Sequence, residues 1–420
     1  MLVTTQKSSP NQSPAIERRG RMPRFGVAIF DSDVDLTSGW ASLAGAPAFR
    51  FRNPIDLPSD SIWVTSCSSY ERFGPLNSNH NLRPSYFFPT ELKYIASDIG
   101  MAAEGDDWSR PAAVAISEII NRSVMIAAQV YKWEDPIQYL RSDMFMEDIK
   151  SALSAPANTP LNMKAPLLSA LQMSSKVTVP FEQNSVDVTL RLNRLAYAKK
   201  ILSTPIPDGV WSYMGHEDTP DFSYSVERAC DTNFPCLVEA TVETGRASRE
   251  ISEMIAFGVT GSKKVSLRSW ISQPELQWLS KYANIKISRV YYTTSHRPLI
   301  ERYQLPELMQ ADELWELSMA AGLVAESHWR GLAKDTYDKN APGRKSTTVT
   351  AVWLRAADRS MCFELALRAS TAGFAVKGYG NGAVTVKVPR SKLTDLLDFA
   401  MDNGIAHPAF REVLRKNGIL

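Results

Sequence analysis

The first regular pattern in the chain is Phe25-Gly-Val-Ala-Ile-Phe30, a short apolar run closed by Asp31, which predicts a buried strand. A loop-rich stretch is expected from there to about Pro89. Over residues 111–132 apolar positions recur at helical spacing behind Pro111, so a helix is predicted. Another is predicted near 136–153. Residues 154–164, rich in Pro, Ala and Asn, read as a linker or exposed loop.

The second half is more regular. Val186–Asn193 alternates like a strand and 194–202 continues as a helix. Cys236–Thr244 and Lys286–Tyr292 read as strands, and Gln273–Tyr282 as a helix. Pro306–Lys334 carries a long helical pattern, interrupted near Gly322. Then follow a strand at 347–355, a helix at 358–372, strands at 374–378 and 383–388 around a Gly/Asn turn, and a helix at 391–403. Strands and helices in this mixture predict an α+β fold.

Composition narrows the function classes only a little. The chain has 420 residues, 44% of them apolar, enough for a sizeable core in two or three domains. A formal net charge of +2 does not announce a nucleic-acid partner, so any such binding has to come from local clusters of Lys and Arg. Cys67, Cys230, Cys236 and Cys362 are scattered, which suits free thiols in a reducing compartment better than a zinc site. No apolar run approaches the ~18–20 residues that span a bilayer, so no membrane association is expected. Residues 1–24 are polar, then basic (Arg18, Arg19, Arg21, Arg24), and are read as a disordered basic arm without a secretory signal.

Tyr379-Gly380-Asn381-Gly382-Ala383-Val384 lies between two β-type runs. Taken alone it is a hairpin, because Asn-Gly fits the two positive φ angles of a type I′ turn. With the helix before it, this segment resembles the part of family B DNA polymerases in which a helix runs into a hairpin. That family carries an Asp-Thr-Asp-Ser type motif at the tip, whose two carboxylates hold magnesium. Here Gly380, Asn381, Gly382 and Ala383 take those positions, and no Asp or Glu occurs between Glu364 and Asp395.

Three further segments resemble the same family, in the same order. Arg191-Leu-Asn193-Arg194-Leu195-Ala196-Tyr197, trailed by Pro205-Ile-Pro-Asp-Gly209, is similar to the first palm motif, Asp-x-Asn-Ser-Leu-Tyr-Pro, with Arg191 in place of the metal-binding Asp. Asp187 lies roughly 13 Å further up the strand, too far to substitute. Arg330-Gly-Leu-Ala-Lys334-Asp-Thr-Tyr337-Asp338-Lys339 is similar to the fingers motif Lys-x-x-x-Asn-Ser-x-Tyr-Gly-Lys, with Arg330, Tyr337 and Lys339 keeping its character. Gly261–Tyr292, through Trp270, Glu275 and Leu276, resembles a stretch of the protein-primed phage and plasmid members. In the first half, Asp31-Ser-Asp33, His80-Asn-Leu-Arg83 and Tyr139-Leu-Arg-Ser-Asp143 resemble exonuclease motifs, the second without its Asp.

The resemblance implies a polymerase-like palm sheet with helical fingers, preceded by a degenerate exonuclease-like α/β domain, with the thumb reduced or absent. Its divisions would be a basic arm (1–24), an exonuclease-like domain (25–165), a first palm part with an insertion (166–300), fingers-like helices (301–345), and a second palm part with C-terminal helices (346–420). Two-metal phosphoryl transfer requires hard oxygen ligands, mostly carboxylates, so nucleotidyl transfer is expected to be lost, with no catalytic residue, metal or cofactor.

Cations remain. Arg191, Arg194, Lys199, Lys200, Lys263, Lys264, Arg268, Arg330, Lys334 and Lys339, with Tyr337, are the expected nucleic-acid contacts, and Arg355 and Arg359 add charge nearby. Trp270, Trp278, Tyr291, Tyr292 and Trp329 are candidate stacking rings. The expectation is a non-catalytic single-stranded-DNA-binding accessory protein of phage or plasmid replication or transcription, in the host cytoplasm, with a DNA or RNA polymerase as an expected protein partner. Two alternatives stand beside it: a protein–protein scaffold that does not bind DNA, and a residual metal-dependent nuclease using Asp31, Asp33 and Asp143.

Overall fold

The structure, a computed structural model, describes residues 24–32, 35–67, 82–83, 86–87, 90–92, 95–96, 99, 101, 108–131, 161–171, 177, 179, 184–192, 194–215, 224–245, 247–255, 266–298, 315–333, 336–337 and 345–405. Residues 1–23 of the expected basic arm, the helix near 136–153 and most of the expected linker lie outside them; Arg24, expected in the disordered arm, instead opens a strand and pairs with Asp60 at 3.4 Å.

The N-terminal part is a five-stranded sheet in the order β3-β2-β1-β4-β5, made of β1 (Arg24–Phe30), β2 (Gly39–Leu43), β3 (Phe49–Phe51), β4 (Ser61–Thr65) and β5 (Leu82–Arg83). Strand β1 is antiparallel to β2 and parallel to β4. Its alternation divides its side chains between two cores. Phe25, Val27 and Ile29 enter the large one, Ala28 and Phe30 a smaller one with Phe51 and Trp63. The stretch expected to be loops thus holds four strands of this sheet, β2 to β5, which are too short for their own periodicity to register. A two-stranded ribbon follows, β6 (Tyr86–Phe87) with β7 (Thr90–Glu91).

Helix α1 (Ser109–Tyr131) packs on β1 and β2. Its residues Ser109–Ala128 are long and apolar enough to cross a membrane by length and composition, and half of that window is buried inside the fold. Arg110, Glu118 and Arg122 interrupt the stretch, so it is not an unbroken apolar run.

After α2 (Lys164–Leu171) come β8 (Ser185–Arg191), α3 (Arg194–Leu202), β9 (Pro205–Pro207), β10 (Ser212–Gly215), α4 (Val226–Cys230), β11 (Cys236–Glu243) and α5 (Arg249–Ile255). Then follow β12 (Ser266–Ser272), α6 (Gln273–Leu279), β13 (Asn284–Tyr292) and β14 (His296–Pro298), which pairs with β9. Strands β10, β13, β11 and β12 form a four-stranded antiparallel sheet in that order.

Helix α7 (Trp315–Leu332) runs unbroken through Gly322, where an interruption was expected, and packs against α3 and α1. The short pair β15 (Thr336–Tyr337) and β16 (Lys345–Ser346) leads into α8 (Val349–Thr371). A strand was expected at 347–355, on the β-branched run Thr347-Thr-Val-Thr350. Instead Thr348 caps a helix, its hydroxyl accepting the Ala351 N–H at 3.0 Å, and tertiary burial outweighs the weak local preference. Strands β17 (Ala375–Gly380) and β18 (Ala383–Pro389) form a hairpin that adds β8 as third strand, in the order β17-β18-β8. Helix α9 (Leu393–Asp402) follows. Helix α8 packs on β17, β18, α6 and α2, and one large core takes in side chains from Phe25 to Ile405. The four cysteines are free thiols, as their spacing suggested.

Candidate functional site

The site is built around the β17–β18 turn. Asn381 and Gly382 both have positive φ, 55° and 70°, as the Asn-Gly pair predicted. A side chain at Gly382 would also meet Tyr197, whose Cε1 lies 3.0 Å from where its Cβ would stand. On β18, Ala383 is in register with Arg191 of β8, and Leu192 N–H donates to the Gly382 carbonyl at 2.9 Å. Arg191 therefore sits on the strand next to the turn, as the two motif resemblances required. Asp187 lies four residues up the same strand and is ion-paired with Lys377, so it does not supply a carboxylate to the tip.

What the sequence did not reveal is Asp358. It sits on α8 with 2% of its surface exposed and accepts the N–H of Asn381 at 2.7 Å and of Gly382 at 2.9 Å. The Tyr197 hydroxyl donates to it as well, and the Cys362 thiol lies 3.6 Å away. Burial first, and then the neighbouring Asp358 charge, push the Tyr197 phenol and the Cys362 thiol well above their usual ranges, so both stay protonated as donors. Residues 355, 358 and 362 lie at spacings of three and four and share one stripe of the helix. Charged residues on an otherwise apolar helix stripe were the available signal. It was missed because carboxylates were sought at the tip itself.

The arginines close over the same turn. Arg355 donates to the Asn381 side-chain Oδ1 and, at 3.2 Å, to the Ala333 carbonyl. Arg330 donates to the Asn381 backbone carbonyl at 3.3 Å and pairs with Glu326 at 2.6 Å. Glu326, one turn before Arg330 on α7, is also ion-paired with Arg194. Burial pulls the Arg330 and Arg355 guanidiniums below the usual arginine range, although nearby Asp358 works the other way.

Several expected contacts turn out to be internal. Arg194, with only 10% of its side chain exposed, is a structural ion pair. Arg359 is buried and bonded to Glu275 and the Ala170 carbonyl; burial works against its charge, and Glu275 more than offsets this, leaving it above the usual range. Trp329, Trp278 and Tyr291 are buried, Trp278 stacking on Phe363 at 4.0 Å, so they belong to the core and are not stacking platforms for bases. Trp270 and Tyr292 are half-buried.

Lys199 is half-buried and Lys200 exposed on α3. Arg268 lies in β12 opposite Thr241, and Tyr337 in β15 opposite Lys345. Asn193, Lys263, Lys264, Lys334 and Lys339 lie outside the described residues.

In the N-terminal sheet, Asp31 is held by Arg50 through both carboxylate oxygens, at 2.6 Å for the better-formed bond, and accepts the Ser38 hydroxyl at 2.6 Å. These bonds, the Arg50 one foremost, hold its carboxyl below the usual range. Both oxygens of this half-exposed carboxylate thus already serve an arginine. Asp33 and Asp143 lie outside the described residues, and among those described no group of three His, Cys, Asp or Glu side chains is placed to hold a metal ion.

No family model and no curated protein matches the chain. Solved structures of phi29 DNA polymerase are similar to it over most of its length. The ternary complex with primer-template DNA and incoming nucleotides is 10% identical, with a TM-score of 0.42, covering 87% of this chain and 80% of that one. The complex with single-stranded DNA is 11% identical, with a TM-score of 0.42 and the same coverage. An orthorhombic crystal form of the same polymerase is 9% identical, with a TM-score of 0.44 and again the same coverage.

Proposed function

We propose that this protein binds single-stranded DNA and does not transfer nucleotides. The observation that carries the reading is the state of the turn. Where the resembling motif would present carboxylates, the turn offers Asn381 and glycine, and Arg191 stands on the adjacent strand. Asp358, the carboxylate that does reach the turn among the described residues, faces inward and spends its oxygens on two backbone N–H groups and a phenol.

A two-metal reaction needs oxygen ligands that hold both ions a few ångströms apart, with open positions for substrate. Guanidiniums at that place repel a dication and attract phosphate instead. With the half-buried Arg191 and Arg355 beside it, the turn suits the backbone of a strand held without base readout. Such a protein would act as an accessory in replication or transcription.

The test pairs two measurements on the full chain: titration of a labelled single strand, and extension of a primed template with magnesium or manganese. Binding without extension supports the reading. Extension overturns its non-catalytic half, and failure to bind at low salt overturns its DNA half in favour of a protein–protein scaffold.

A further inference from the structure

We infer that Arg330 and Arg355 form a receptor for a single phosphate group at the Asn381-Gly382 turn, binding it without a metal ion. The inference rests on the DNA-binding reading of the same turn and names the chemical group the turn recognises.

Three observations point there. Both guanidiniums converge on one residue, Arg330 on the Asn381 carbonyl and Arg355 on its side-chain oxygen. Neither is fully compensated. Arg330 shares Glu326 with Arg194, and among the described residues Arg355 hydrogen-bonds only to the neutral oxygens of Asn381 and Ala333. The Arg330 Nε–H is buried and has no hydrogen-bond partner among the described residues.

A buried donor without a partner is costly, and a desolvated cation more so, unless an anion or another acceptor arrives. Asp358 lends its charge to both arginines but no hydrogen bond, because its oxygens already serve the turn amides and Tyr197. The turn is at the surface: Asn381 is exposed, and Arg330 keeps 22% of its side chain exposed. Two guanidinium forks with several N–H donors suit a tetrahedral oxyanion, which offers several acceptor oxygens, better than a halide. The environment also pulls both guanidiniums toward the uncharged form, a tendency that a bound anion would relieve.

The probe is inorganic phosphate. The melting temperature of the full chain is followed in EDTA as phosphate is titrated against chloride at matched ionic strength. A ligand that binds the folded state raises it in a saturable way. The wild type is expected to show a saturable rise, Arg355→Gln at least a tenfold weaker midpoint, and Arg355→Lys an intermediate one. Because phosphate also stabilises proteins generally by exclusion from their surfaces, the difference between variant and wild type carries the result. If circular dichroism shows Arg355→Gln unfolded, Arg330→Gln is read in its place.

No saturable rise, an equal rise in the variants, or a requirement for magnesium overturns the inference. A wild type that responds to phosphate but binds no single-stranded DNA keeps this inference and overturns the reading above. One that binds DNA with no phosphate response does the reverse.

Discussion

The Asp358 carboxylate accepts the backbone N–H of Gly382 at 2.9 Å, tying the tip of one hairpin to the middle of the helix that precedes it. With the Asn381 N–H on its other oxygen and the Tyr197 hydroxyl beside it, this one buried acid organises a turn that would otherwise be free to flex. An amide in its place would keep the shape, but its NH2 would face donors. Asp358→Asn is therefore expected to destabilise the chain by about 2–4 kcal/mol, since each buried donor left unpaired costs roughly 1–3 kcal/mol. Urea denaturation measures this, and a change below about 0.5 kcal/mol would mean that the turn is anchored elsewhere.

Glu275 and Arg359 are a second test of buried charge. Their side chains are 0% and 6% exposed and directly bonded. Removing one partner, as in Glu275→Gln, is expected to cost about 3–5 kcal/mol because the other charge stays buried. Replacing both with methionine should restore most of that loss. A double-mutant cycle with no coupling would contradict the pairing.

In the N-terminal sheet, Arg50 holds the Asp31 carboxyl below the usual carboxylate range. A depressed folded-state pKa contributes stability above the unfolded value, near 3.9, and that contribution disappears as pH falls through the lower folded value. Both side chains are more than a third exposed, so solvent screens the pair and the effect on stability is small. The direct readout is the Asp31 titration by NMR. Its midpoint should rise toward the ordinary range in Arg50→Gln, and an unchanged midpoint would show that Arg50 is not the cause.

Trp329 is wholly buried, and its indole N–H has no partner among the described residues. Trp329→Phe is expected to change stability while leaving single-stranded DNA affinity within about twofold, because a core ring lies out of reach of a base. A loss of affinity in a variant of wild-type stability would return Trp329 to the binding surface.

Much of the frame was legible in the sequence, and particular residues show why the rest was not. Asn381-Gly382 announced its turn because two positive φ angles admit few residues. The alternation of Val384, Val386 and Val388 announced β18. The start of α8 was misread because its β-branched residues have no period that separates a strand from a buried helix, whereas a single cap at Thr348 decides the matter in three dimensions. Asp358, Glu326 and Glu275 were invisible as a group. They lie on three different helices, and each acquires its role from a partner distant in sequence. For the same reason Arg194 and Arg359 looked like surface cations and are interior ion pairs.

The central claim is that a carboxylate-poor, arginine-gripped turn holds a single strand without metal. The measurement is fluorescence anisotropy of a labelled single-stranded oligonucleotide titrated with the full chain in EDTA across a series of salt concentrations. The account predicts binding at low salt that weakens with a log–log slope of about −2 to −3, as expected for roughly three or four phosphate contacts on a single strand. No binding at low salt, or binding that appears only when magnesium is added, would contradict it.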